Sequence, residues 1–199
     1  MKFTDELKKR FEGEPAFTSR DIRMFFAEHG LSSGYQNLMV HNLLKQGRLF
    51  RITRGAYTFR DEAQAVGFAF PPFYYGLQDA LSLRNIWEQE TVPVVITARK
   101  VRSGRRIFSG SNYIVRHISR KMLFGYGLVK YGDFWVPVSD AEKTIIDLVY
   151  FRQPIGKELV QTLRSIMRKD VMDRYLLRIS SRLAKRVKCA LAKGNCTIR

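Results

Sequence analysis

The chain has 199 residues, of which 35 are lysine or arginine and 18 are aspartate or glutamate, so its formal net charge is +17. With 45% hydrophobic and 27% charged residues it can form a folded core, which excludes wholesale disorder and fibrous or disulfide-rich classes. The N-terminus lacks the apolar core of a signal peptide, and the most apolar stretch, residues 65–77, is too short to cross a membrane.

Residues 1–30 predict two helices. Apolar residues spaced over 3–11 favour a short first helix, which ends before a Gly-Glu-Pro loop. Thr18, followed three residues later by Asp21, matches a capping box with Asp in place of Glu, so a second helix is expected to begin there. Gly30 is expected to end that helix, because glycine readily adopts the left-handed conformation of a C-cap.

A third helix is expected to begin at Ser32 or Ser33 and to end at Gly47, with Leu38 and Leu43 facing the core. Two helices joined by a short glycine-containing turn form a helix-turn-helix, in which the second helix enters the major groove of DNA. The polar residues at the start of this helix are candidates for contacting bases or phosphates: Ser32, Ser33, Tyr35, Gln36 and Asn37.

A β-hairpin is expected directly after the third helix, because residues 48–52 and 56–59 alternate between apolar and polar around a tight turn. Arg48, Arg51 and Arg54 of this wing are expected to stay free for phosphates or the minor groove, and Arg20 is a further candidate DNA contact. Residues 1–60 therefore predict a winged helix-turn-helix domain. The alternative is a small α+β packing module with solvated arginines.

Residues 65–199 predict a second domain, a mixed α/β sheet with helices, so that the fold class of the whole chain is α+β. A helix is expected over residues 75–81, and strands are expected near 93–97, 106–108, 113–118 and 134–138. Ser139 is expected to cap a following helix, with Glu142 at a capping-box position and Asp147 pairing with Lys143 on the helix surface. His117 is expected to be a hydrogen-bonded structural residue.

No catalytic site, metal site or cofactor is predicted. A magnesium-dependent nuclease needs carboxylates on neighbouring strand positions together with a lysine, but residues 91–132 contain no carboxylate. The chain also lacks a glycine-rich phosphate loop in a strand-to-helix context. These observations predict a protein that is not an enzyme.

Two groups of arginines are candidates for contacting a polyanion or a protein partner. The first is Arg102, Arg105 and Arg106, in the segment without acidic residues. The second is Arg178, Arg182 and Arg186, which recur every four residues on a helix predicted from Met172 to Ala190. Residues 164–199 hold 11 basic and two acidic side chains, but the polar face lacks the bulky aromatics that favour a membrane surface.

Cys189 and Cys196 are the two cysteines of the chain, and both lie in its last eleven residues. A secreted protein would rarely place its one cysteine pair there, and two ligands without histidine or acidic neighbours do not form a zinc site. We therefore expect reduced thiols and a cytoplasmic protein.

Several segments occur in a characteristic order: Gly47–Ile52 with Arg54–Tyr57, Tyr75–Leu81, Tyr113–Ile118, Leu123–Tyr126 and Glu142–Tyr150. In this order they resemble the AbiEi antitoxin family, also described as predicted transcriptional regulators of viral defence. The resemblance covers roughly residues 15–190, and the run EKTIIDLVY is its most distinctive part.

The resemblance implies an N-terminal winged helix that binds double-stranded operator DNA and represses its own operon. It also implies a C-terminal domain, distantly related to restriction-endonuclease-like folds and catalytically inactive, that counteracts a nucleotidyltransferase-like toxin. A homodimer on an inverted repeat is a reasonable expectation for a winged helix. The alternatives are a toxin-neutralising interaction module with secondary DNA binding and, less favoured, a degenerate nuclease.

Overall fold

The computed structural model describes residues 2–89 and 91–193, so Cys196 lies outside the described residues. The chain forms two compact units. The first contains the residues up to Pro71 together with Arg105–Tyr113, and the second contains Pro72–Gly104 together with the residues from Ile114 onward. This partition differs from a division into 1–60 and 65–199, because residues 105–113 group with the first unit. No helix in the described part of the chain is long and apolar enough to span a bilayer.

The first unit contains three helices and a small antiparallel sheet. In chain order its elements are α1 (Lys2–Phe11), β1 (Phe17–Thr18), α2 (Ser19–Glu28), α3 (Ser33–Lys45), β2 (Phe50–Thr53), β3 (Ala56–Thr58) and a 3-10 segment (Ala63–Ala69). The strand order is β1-β3-β2. The three predicted helices and the predicted hairpin are therefore confirmed.

Local capping fixes where α2 and α3 begin and end. Thr18 Oγ1 accepts the N–H of Asp21 at 3.3 Å, and the Asp21 carboxylate accepts the N–H of Thr18 at 2.7 Å, so the predicted capping box is confirmed. Gly30 has a φ of +65°, the left-handed conformation expected after the end of α2. Ser32, one of the two predicted caps, accepts the N–H of Tyr35 and starts α3.

An aromatic core holds the three helices together. Phe11 of α1 stacks on Phe17 of β1 at a centroid distance of 4.6 Å, and Phe25 of α2 contacts Phe11 edge-on at 6.4 Å. Leu43 of α3 is buried in the same cluster, as predicted. Leu38 is 57% exposed, so the prediction that it faces inward is wrong: the buried face of α3 is formed by Met39 and Leu43, and Leu38 points away from it.

The second unit is built on a six-stranded mixed sheet. The strands of this sheet are β4 (Phe73–Tyr75), β5 (Val94–Thr97), β6 (Gly104–Phe108), β7 (Ser111–His117), β8 (Tyr126–Tyr131) and β9 (Phe134–Ser139). Their order is β6-β7-β5-β4-β9-β8, and residues 105–113 of the sheet group with the first unit. The helices are α4 (Gln78–Leu83), α5 (Ala141–Tyr150), α6 (Lys157–Ile166), α7 (Lys169–Arg178) and α8 (Ser181–Lys193), with a 3-10 turn at Arg120–Met122.

Helix α5 lies at the centre of the second unit. Residues 141–149 are all buried, and α5 contacts α4, α6, α7, α8 and β9. The N-cap is Asp140, whose carboxylate accepts the N–H of Lys143 at 2.7 Å, so the prediction of a Ser139 cap is wrong. Ser139 instead ends β9, and its hydroxyl contacts that of Thr144 at 2.7 Å.

The predicted single helix from Met172 to Ala190 is wrong. Helix α7 ends at Arg178, Ile179 is extended with φ −110° and ψ 166°, and α8 begins at Ser181. The break folds α8 back so that it contacts α5, α6 and α7. The apolar spacing continues across the break, and for this reason the sequence pattern alone suggests one helix.

Gly125 provides a test of packing beside α5. Its φ is +70°, and a Cβ placed there would lie 2.8 Å from Lys143 Cβ and 2.8 Å from Tyr175 Cε2. We expect Gly125→Ala to lower the free energy of unfolding by roughly 2–4 kcal/mol, from backbone strain and overpacking together. Gly132→Ala is the matched control in urea denaturation, because Gly132 has a φ of +56° but no described atom within 4 Å of such a Cβ. Equal losses in the two variants would contradict the packing argument.

Asp79 predicts a pH dependence of stability. It is 1% exposed, its carboxylate accepts the N–H of Val94 at 3.0 Å, and burial raises its pKa to about 7 from an ordinary 3.8. Because the folded-state pKa lies above the unfolded-state value, folding takes up a proton in this window. Stability should therefore fall as pH rises from about 4 to about 7, by at most roughly 4 kcal/mol. Urea denaturation at both ends of the window should show a smaller pH slope for Asp79→Asn; an unchanged slope would contradict the assignment.

Candidate nucleic-acid interface

A groove of about 510 Å³ lies beside α3 in the first unit. Helices α2 and α3 and the hairpin strands β2 and β3 form its walls. The lining residues are Ser19, Ile22, Arg23, Ser33, Gln36, Asn37, Val40, His41, Leu44, Arg51 and Tyr57. These residues include two arginines and no acidic side chain, so the groove is suited to an anionic ligand.

The start of α3 presents two of the predicted base-contacting residues to solvent. Ser33 and Asn37 are exposed and line the groove. Gln36 lies between them but is 9% exposed, which places its side chain at the floor of the groove rather than at its rim. An exposed asparagine on such a helix can form two hydrogen bonds with adenine, and a serine can bond a phosphate or a base edge.

Two other predicted contacts at this end of α3 have structural partners. Ser32 is exposed, and its hydroxyl accepts the N–H of Tyr35 at 3.3 Å. The Tyr35 ring is half-buried and lies 6.5 Å from Phe3 and 6.1 Å from Phe26, centroid to centroid. Ser32 and Tyr35 therefore position the start of α3.

The hairpin carries Arg51 on β2 and Arg54 in its turn, and both side chains are exposed. Gly55 has a φ of +77°, which allows the tight turn after Arg54. A register shift between Arg51 and Thr53 marks a bulge in the strand that carries Arg51. The wing thus presents one cation at the groove and one at its tip.

Arg48 is not on the wing. It precedes β2, and its Nη2 lies 3.3 Å from a carboxylate oxygen of Asp5 on α1. The prediction that Arg48 is a free wing residue is therefore wrong. Arg20 is exposed near the start of α2, whose first N–H groups are already paired: those of Arg20 and Asp21 donate to Thr18 Oγ1, and that of Ser19 donates to the carbonyl oxygen of Gly55.

Sequence reasoning did not single out Arg23 and His41 as groove residues. Both are exposed and line the groove. Their spacing could have identified them: His41 follows Asn37 by four residues on α3, and Arg23 follows Arg20 by three on α2, so each pair shares a helix face.

The arginines predicted to contact a partner through the second unit are in different environments. Arg102, Arg178 and Arg182 are exposed, and the Arg178 guanidinium lies 4.4 Å from the centroid of the Phe124 ring. Arg186 is half-buried, and its Nη2 donates to the carbonyl oxygen of Val149 at 3.0 Å. It therefore provides a hydrogen-bond donor to one of the last carbonyl groups of α5, which have no partner within the helix. The predicted stripe of free arginines is therefore wrong at Arg186 and is interrupted by the break after Arg178.

Arg105 and Arg106 belong to the first unit. Arg105 is exposed, whereas the Arg106 guanidinium lies 5.1 Å from the centroid of the Phe70 ring. A cation over an aromatic face is a stabilising contact within the unit.

A cluster of charged and hydroxyl groups is buried beneath α5. Lys143 and Asp147 are both 0% exposed and form an ion pair, and Tyr74 Oη donates to Asp147 Oδ2 at 2.8 Å. Burial lowers the pKa of Lys143 and raises the pKa of Asp147, while their mutual attraction opposes both shifts. The predicted pair exists, but its predicted place on the helix surface is wrong. The pair is closed off from solvent and is therefore not exposed to a ligand.

Glu142 and Asp140 connect the start of α5 to α7, Glu142 at the N-cap of α7 and Asp140 at its interior. The Glu142 carboxylate accepts the N–H of Arg168 at 2.7 Å, and Asp140 Oδ2 accepts the hydroxyl of Tyr175 at 2.7 Å. Burial raises the pKa of Asp140.

His117 is exposed, and its backbone N–H donates to Ser103 Oγ at 2.9 Å. Across residues 2–89 and 91–193, no three His, Cys, Asp or Glu side chains come together in a way that could hold a metal ion.

Comparison with known proteins bears on the first unit. No curated protein matches the chain. The part that contains α1, α2, α3 and the hairpin is similar to a known family: residues 5–60 match the family model described as "Transcriptional regulator, AbiEi antitoxin".

Proposed function

We propose that the first unit is a winged helix-turn-helix that binds double-stranded DNA, and that the chain is a transcriptional regulator. The observation that carries this proposal is the groove beside α3. It has no acidic lining residue, Ser33 and Asn37 are exposed in it, and Arg23 and Arg51 flank them. The family match over residues 5–60 supports the same function.

In this proposal α3 enters the major groove of DNA, and the hairpin contacts the sugar–phosphate backbone beside that groove. Asn37 and Ser33 contact base edges. Gln36 lies at the floor of the protein groove and contacts a base only where the DNA reaches that depth. Arg23, Arg51, Arg54 and Arg20 hold phosphates, which fixes the register of α3 without reading sequence.

Asn37→Ala tests base reading. Selection of binding sites from a random duplex pool should give a sequence preference for the wild type, and the variant should lose preference at one base position, with a discrimination loss of about 1–3 kcal/mol. Lys9→Ala is the control, because Lys9 is an exposed cation on α1 that does not line the groove. The assignment of Asn37 is wrong if its variant selects the same sequences as the wild type.

The family description names an antitoxin and so supports an antitoxin role. We propose that in this role the chain represses its own operon and counteracts a nucleotidyltransferase-like toxin. Binding as a homodimer to an inverted repeat belongs to the same proposal. The proposal includes no catalysed reaction and no cofactor. Co-expression with the product of a neighbouring nucleotidyltransferase gene tests the antitoxin role. Growth should recover with the wild type. A lack of rescue would contradict the antitoxin role and leave DNA binding as the only proposed function.

A further inference from the structure

Strand β8 forms one edge of the sheet in the second unit. It pairs antiparallel with β9 along its whole length, from Tyr126 opposite Ser139 to Tyr131 opposite Phe134. Within the described part of the chain, no strand pairs with its other side. At an edge of this kind, every second residue leaves its N–H and C=O free to pair with another strand.

One face of the β8–β9 hairpin carries three exposed apolar side chains beside an exposed lysine, Lys130. Leu128 is 66% exposed, Trp135 on β9 is 55% exposed, and Tyr126 is 40% exposed. The register places Leu128 opposite Pro137 and Trp135 opposite Lys130, so these side chains share one face of the sheet.

This face continues the core of the second unit. The Tyr126 ring stacks on the buried Tyr74 ring at 5.1 Å with an interplanar angle of 9°, and Tyr74 belongs to the core cluster packed against α5. The apolar surface that the helices cover at Tyr74 therefore extends beyond them to Leu128 and Trp135. Contiguous exposed apolar surface of this kind is typical of a protein interaction site.

Strand β8 lacks most of the features that protect an edge from pairing. Its register with β9 is constant, so it has no bulge, and its sequence YGLVKY contains no proline and one charged residue, Lys130. Natural edge strands are commonly protected by several charges, a proline or a bulge. An edge with this composition is suited to receiving a strand.

The positive charge of this protein indicates the charge of the strand that β8 would bind. Lys130 is the one charged residue in β8 and β9, and the whole chain carries +17, so a second copy would be repelled. An acidic partner would be attracted, and its carboxylates could pair with Lys130.

We infer that β8 binds an extended, acidic segment of a partner protein as an added antiparallel strand, with apolar side chains of that segment seated on Leu128 and Trp135. This interaction is separate from the proposed DNA-binding groove, because every residue that carries it lies in the second unit.

The test uses the full ¹⁵N-labelled chain and two synthetic peptides. One alternates glutamate with valine, and the other alternates lysine with valine. The acidic peptide should give saturable amide shifts concentrated in β8, with a Kd below about 1 mM, and should slow hydrogen exchange at every second β8 amide. The basic peptide should give no such shifts. Leu128→Asp and Trp135→Asp should each weaken binding at least tenfold, whereas Leu177→Asp, at a residue that is 87% exposed on α7, should not.

Three outcomes would overturn the inference. The first is equal binding of the acidic and basic peptides, and the second is shifts concentrated outside β8 and β9. The third is concentration-dependent β8 shifts without peptide, which would identify a second copy as the occupant. Unchanged DNA affinity in Leu128→Asp keeps this test independent of the proposed DNA-binding function.

Discussion

Replacing Lys143 by methionine is expected to lower the free energy of unfolding by about 3–5 kcal/mol, because it leaves the Asp147 carboxylate buried without its cation. Tyr74 would remain as one hydrogen-bond donor to that carboxylate, which is insufficient compensation for a buried charge. Since burial raises the pKa of Asp147, the carboxylate can escape the penalty by taking up a proton. The loss in Lys143→Met should therefore be smaller at acidic pH and larger at alkaline pH.

Urea denaturation followed by circular dichroism measures this loss, with Lys121→Met as the control at an exposed lysine of the same unit. The double variant Lys143→Met with Asp147→Leu removes both charges and should recover much of the stability, since an apolar pair of similar volume often replaces a buried ion pair without loss. A loss below about 1 kcal/mol in Lys143→Met would contradict the structural role assigned to the pair.

The triple variant Arg23→Ala, Arg51→Ala and Arg54→Ala is expected to bind any duplex DNA roughly a hundredfold or more weakly at about 0.1 M salt. Each phosphate contact releases close to one counterion, so the slope of log K against log salt should become shallower by about three. The loss should be similar for specific and random sequences, because phosphate contacts carry no sequence information. Fluorescence anisotropy over a salt series measures both quantities.

The matched control removes Lys8, Lys9 and Lys45, three exposed cations of the first unit that do not line the groove. If affinity depended on net charge alone, the two triple variants would lose the same affinity and the same slope. That result would remove the wing and α2 from the proposed interface.

Local signals explain why the first unit could be predicted in detail. The Thr18–Asp21 capping box, Gly30 and the Arg54-Gly55 turn each act within a few residues, and each is present as expected. The sequence indicates less clearly which side chains of a helix face the core. Leu38 and its neighbour Met39 satisfy nearly the same helical spacing, and only packing decides which of the two is buried.

The second unit was harder to predict because its signals depend on tertiary structure. Strand β8 has the sequence YGLVKY, in which two apolar residues are adjacent at Leu128 and Val129, so it lacks a clear alternation of apolar and polar residues. Lys143 and Asp147 have the spacing of a surface ion pair, and only the helices around α5 make the pair buried. No proline or glycine marks the break at Ile179. In the first unit, Arg48 forms an ion pair with Asp5, which is distant in sequence, so local patterns do not indicate the pair.

Photocrosslinking at position 37 tests the central claim most directly, namely that α3 of the first unit enters DNA although much of the positive charge lies elsewhere. A benzoylphenylalanine at this position in the full chain should crosslink to bases of a bound duplex, and the same residue at position 9 of α1 should not. Position 120, an exposed arginine of the second unit, serves as the competing site. Efficient crosslinks at 37 with none at 9 are the predicted result. Crosslinks confined to position 120, with none at 37, would contradict the account and place the DNA on the second unit.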